Sequence, residues 1–169
     1  DILQDLYSRE QVVRNRYETN KLIPIEDWYE YEEMVEIKEV ELPVGAGDAF
    51  TDDRVVAVHH IPGSQAMGAN YKARVRGQSM DPIILDGDYI LVRKQDFLEH
   101  SGQLIVAHIK NIGTTVKFAF KRENEVGLGK SLTTAKWYPD DEVAVCGIVV
   151  KIERPPNIIE RLEQEALEN

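Results

Sequence analysis

A chain of 169 residues with 43% hydrophobic content can bury one domain's core without disulfides, and its net charge of −10 argues against binding nucleic acid by itself, since phosphate affinity comes from Lys and Arg. Cys146 is the only cysteine, which excludes a disulfide framework or thiolate metal cluster and fits a reducing compartment, where it reads as a buried small hydrophobe. No run approaches the roughly 20 apolar residues of a membrane span and no signal-peptide core stands near the start, so the expected location is the cytoplasm, without membrane contact.

The acidity is uneven, with 12 acids against 5 bases in residues 1–46. Within residues 1–19, Ile2, Leu3, Leu6, Tyr7, Val13 and Tyr17 recur near helical spacing and predict a helix. Residues 28–41, WYEYEEMVEIKEVE, are acidic; their second half alternates as an exposed strand would, and reads as connector rather than core. After Gly45 the texture changes to short strands: RVVAVHHI, YKARVRG, DYILVRK, QLIVAHIK, TTVKFAFKR and EVAVCGIVVKIER, separated by Gly, Pro, Asp or Asn. The body is therefore expected to be mostly β. Beyond Pro155 and Pro156, Ile158, Ile159, Leu162 and Ala166 share one face of a short helix that packs on the body or on a partner. A chain that opens on Asp1 rather than Met is expected to continue a longer protein.

One stretch carries candidate chemistry. In GQSMDPIILDGDYILVRK, residues 77–94, Gly77 allows a sharp turn before Ser79, and Pro82 removes an amide donor shortly after it. The amides of Gln78 and Ser79 are then candidates for an oxyanion site. The simpler reading of the same residues is a strand-ending turn. A nucleophilic serine needs a base. His59, His60, His100 and His108 show no spacing that marks a partner and read as surface or packed residues. Lys117, inside TTVKFAF, is embedded among Val116, Phe118, Ala119 and Phe120. A lysine at its ordinary value of about 10.4 is protonated at pH 7, and bringing that value close to 7 costs roughly 4 kcal/mol, which burial can supply. Strand alternation alone instead places Lys117 with Lys121 on a solvated face.

Taken together, GQSMDPIILDGDYILVRK, SGQLIVAHI and TTVKFAFKRENEVGL resemble the C-terminal self-cleaving domain of LexA and phage lambda-type repressors, a family that includes the UmuD proteins. The resemblance covers roughly residues 40–154. Gly77, Gln78, Ser79 and Met80 match the family's serine motif, and Thr115, Val116 and Lys117 match its lysine motif. The family cuts itself at an Ala-Gly or Cys-Gly bond upstream of the serine, and LPVGAGDAF offers Ala46-Gly47, 33 residues before Ser79. Small residues there suit a narrow cleft, and Gly47 tolerates a bend.

The resemblance implies a twisted β-sheet domain of the LexA and signal-peptidase type, with an N-terminal helical linker and a short C-terminal helix. It implies a Ser79/Lys117 dyad that cleaves Ala46-Gly47, with the amides of Gln78 and Ser79 holding the oxyanion, and no metal or cofactor. The expected organisation is a linker over 1–41, a self-cleaving and dimerising domain over 42–154, and a tail over 155–169. Expected partners are a second copy through this domain, a RecA filament as co-protease, and operator DNA only through a helix-turn-helix domain upstream of Asp1. Two further readings stand beside it: a UmuD-like polymerase accessory protein, and a dimerisation module whose dyad is inactive. A signal peptidase shares the serine motif and lysine base, but the missing membrane anchor argues against it. Phe118, the segment GKSLTTAKWYPDDE and the long C-terminal helix depart from the family pattern and bear on the partner surface rather than the chemistry.

Overall fold

β-branched and aromatic residues alternate between punctuating turns over most of the chain, and a computed structural model shows all six segments read as strands to be strands of one nine-stranded sheet. The structure describes residues 33–43 and 49–168. The helix expected within 1–19 and the Ala46-Gly47 bond lie outside the described residues.

The strands are β1 (Met34–Val40), β2 (Val55–Pro62), β3 (Tyr71–Arg74), β4 (Tyr89–Lys94), β5 (Gln103–Ile109), β6 (Gly113–Arg122), β7 (Glu125–Gly129), β8 (Lys136–Pro139) and β9 (Val143–Glu153). They lie in the order β2-β1-β3-β4-β9-β5-β6-β7-β8, and only the β1–β3 pair is parallel. A four-residue helix, α1 (Gly63–Ala66), follows β2, and α2 (Pro156–Glu168) closes the described chain.

Three differences from the sequence reading have physical causes. β1, read as connector, is an interior strand between β2 and β3, with Ile37 and Val40 each 1% exposed. Three residues apart, Ile37 and Val40 point to opposite faces of the strand, so Ile37 packs with Leu91 and Val40 packs in the main cluster. Glu36, Lys38 and Glu39 stand around these two residues and mask them in the sequence. β7 and β8 were not foreseen because EVGLG is poor in strand formers. Its glycines meet close neighbours instead: a Cβ at Gly127 would lie 2.9 Å from Trp137, and one at Gly129 would lie 2.9 Å from Ala135. Cys146 is only partly buried, against the main cluster.

The main cluster joins Val40, Tyr71, Ala73, Ile90, Val92, Val106 and Val116 of five strands to Ala49, Phe50, Met80 and Ile84 from connecting segments. It is the layer on which the Ser79 segment rests. The expected C-terminal helix is present, but Ile158 is its only buried residue, and Ile159 is 42% exposed. Among the described residues no helix is long and apolar enough to cross a membrane.

Candidate active site

Residues 75–88, between β3 and β4, form a loop closed at its base by two backbone hydrogen bonds, Val75 N to Asp88 O and Gly87 N to Val75 O, both 2.8 Å. Gly77 and Gly87 adopt φ of +95° and +92°, a region that disfavours L side chains, and so permit the reversals at each end. Asp86 Oδ1 accepts from Gly77 N at 2.7 Å, which fixes the turn entering Ser79. Met80 drops its side chain into the main cluster, 2% exposed, while its carbonyl accepts from the amides of Ile83 and Ile84. Ser79 is thus held exposed at the surface by the buried residue beside it.

An ion pair between buried Asp88 and partly exposed Arg154 anchors the base of the loop. Asp88 is 0% exposed; Arg154, just past the end of β9, donates to it from Nε at 3.0 Å and from Nη2 at 2.8 Å, and Leu85 N donates at 2.7 Å. The bidentate geometry satisfies a carboxylate that would otherwise be costly to bury.

Lys117, on β6, donates from Nζ to Ser79 Oγ at 2.7 Å. The structure therefore brings together the serine and lysine singled out in the sequence, and corrects the solvated-face reading that alternation suggested. Lys117 is half-buried, whereas Lys121 is exposed and turns its ammonium to the Leu98 carbonyl. Among the described residues no acceptor meets the amides of Gln78 or Ser79. None of the four histidines bonds to Ser79: His59 pairs with Glu39, His60 lies by Glu36, and His100 meets the Ser101 carbonyl. His108 has a buried Nδ1 without a partner.

Burial lowers the Lys117 pKa below the ordinary lysine value, and the positive charge of Lys130 lowers it further. Because the folded value lies below the unfolded one, the folded chain binds fewer protons in the pH range between the two values. This group's full stability is present above about pH 10.4 and is lost as pH falls through the lowered value. Lys117→Met is therefore expected to raise the thermal midpoint by a few degrees at pH 7, with the gain fading as pH approaches that of free lysine. A calorimetric series over pH checks this, and an unchanged or lower midpoint at pH 7 would contradict it.

Ser79 opens onto a cavity of about 650 Å³ whose described walls include Leu42, Pro43, Gly77, Met80, Thr115 and Val116. Pro43 and Ala49 border the segment that contains Ala46 and Gly47. Pro43 stands at the cavity wall, and Ala49 and Phe50 are fully buried, with Lys94 Nζ donating to the Phe50 carbonyl at 2.7 Å. Sequence reasoning missed Asp86, Asp88, Arg154 and Lys130. The Asp-Gly-Asp run at 86–88 was a legible turn signal, but the partners of Asp88 and Lys130 are remote in the chain.

A wide sheet carrying a surface serine in hydrogen-bond contact with a half-buried lysine defines a peptidase-type domain, and residues 36–150 match the Peptidase S24-like family, to which this chain belongs. The domain is of the LexA C-terminal type. Over 117 residues it is 35% identical to the LexA repressor of Herpetosiphon aurantiacus, covering 67% of this chain and 54% of that protein. It is 40% identical over 88 residues to the LexA repressor of Lacticaseibacillus casei, covering 50% and 41%, and 44% identical over 66 residues to that of Zymomonas mobilis, covering 38% and 30%. The chain spans about half or less of the length of these curated relatives.

Proposed function

We propose that this chain is the C-terminal part of a LexA-like transcriptional repressor that cleaves its own backbone between Ala46 and Gly47, ending repression. The 2.7 Å contact between Lys117 Nζ and Ser79 Oγ carries this reading. Neutral Lys117 takes the Ser79 proton as Oγ bonds to the Ala46 carbonyl carbon. The amides of Gln78 and Ser79 receive the oxyanion, and Lys117 then passes its proton to the departing Gly47 nitrogen. Water, deprotonated by the same lysine, releases Ala46 from the ester and restores Ser79.

Several features support the scheme. Lowering of the Lys117 pKa enlarges the neutral fraction, and the amides at 78 and 79, which meet no acceptor among the described residues, fit an oxyanion role. The tethered substrate has a high effective concentration, so docking of the cleavage segment controls the rate. RecA filaments on single-stranded DNA are the proposed stimulus for docking, a second copy is the proposed partner of this domain, and operator contact falls to an upstream domain.

Intact-mass spectrometry of the chain incubated from pH 6 to about pH 11 tests the reading. Fragments ending at Ala46 and starting at Gly47 are expected, at a rate that rises with pH as Lys117 loses its proton. The rate should level off at a midpoint below the ordinary lysine value of about 10.4. A mass that stays intact at every pH, with RecA filaments added, would overturn the proposal.

A further inference from the structure

Lys130 lies in the segment joining β7 to β8, where this chain departs from the family pattern, and its Nζ donates to the Asp81 carbonyl at 2.7 Å. Asp81 is two residues after Ser79, and its own amide donates to Gln78 O at 3.1 Å. An exposed lysine 49 residues away is thus tied to the turn that holds the serine. The tie also holds a second cation close enough to act on the charge of Lys117.

We propose that Lys130 is a positioning residue for the Ser79/Lys117 pair, strapping the serine turn through Asp81 and setting a second positive charge near the pair. The inference rests on the self-cleavage reading and names how that site is tuned. Other charged groups around Lys117 are engaged elsewhere or face the cavity. Lys121, on the same strand, turns to Leu98, Asp86 caps Gly77, and the Asp81 carboxylate acts on Arg154. Arg74, Arg76, Glu39 and Glu41 line the cavity from β1 and β3 and the residues just after them. Lys130 is the charge that lowers the Lys117 value, second only to burial. The lever is electrostatic and exposed, so salt screens it.

The test separates this inference from the reading beneath it. The full chain, with ¹³C-labelled lysine, is titrated by NMR as wild type and as Lys130→Arg, Lys130→Met and Lys130→Glu, with the Lys117 signal assigned from Lys117→Arg. The Lys117 midpoint is expected to stay near wild type in Lys130→Arg, rise in Lys130→Met and rise further in Lys130→Glu, with the spread shrinking in 1 M salt. Self-cleavage at pH 7 should slow in the same order, roughly 2- to 10-fold for Lys130→Met. A Lys117 midpoint that does not move, or that falls, in Lys130→Met overturns the inference whether or not any chain is cut. Failure of the wild type to cut speaks only against the self-cleavage reading.

Discussion

Ser79→Ala is expected to leave the chain uncut under every condition in which the wild type yields fragments, a loss on the order of 10⁴- to 10⁶-fold. Ser79 is exposed and, among the described residues, its hydroxyl bonds only to Lys117, so folding should be unaffected. Lys117→Ala should cost about as much, and the double variant little more, because nucleophile and base act as one unit. Lys117→Arg is the sharper probe. A guanidinium can still donate to Ser79 but does not lose its proton in this pH range, so activity should vanish although the contact survives. Quantitative mass spectrometry of timed samples decides it. Fragments from purified Ser79→Ala or Lys117→Arg at a rate within tenfold of wild type would remove the pair from the chemistry.

The second large effect concerns stability. Arg154→Ala leaves the Asp88 carboxylate, 0% exposed, with Leu85 N as its remaining side-chain contact. Removing one partner of a fully buried pair typically costs about 3–5 kcal/mol, because the other charge stays buried and uncompensated; with Arg154 itself partly exposed, about 2–3 kcal/mol is expected. Urea denaturation of Arg154→Ala should show that loss, whereas replacing both residues by apolar ones of similar volume should cost much less. The same pair holds the base of the loop that carries Ser79, so Arg154→Ala should also slow self-cleavage well below its melting temperature. A change under 1 kcal/mol would mean that water replaces the guanidinium at Asp88.

Strand positions were legible where local alternation and turn residues agree, as in RVVAVHHI or DYILVRK, because period-2 patterning is a property of neighbouring residues. The serine and lysine segments were legible for another reason: turn chemistry around Gly77 and an apolar setting for a lysine are written in short stretches, and the match to a family tied them together. Burial by remote segments was not legible. Alternation put Lys117 in solvent, yet the Ser79 turn reaches it from 38 residues away. β1 read as exposed because its acids mask Ile37 and Val40, whose burial depends on β2 and β3 flanking it. β7 tolerates two glycines because Trp137 and Ala135 fill the space their side chains would take.

The sequence by itself determined six of the nine strands and which residue types are available for acyl transfer, since backbone preference and chemical identity belong to each residue and its neighbours. Tertiary structure alone decided the rest. It half-buried Lys117, closed Arg154 onto Asp88 across 66 residues, and set Lys130 against Asp81, because desolvation and charge proximity arise only when distant parts of the chain exclude water together.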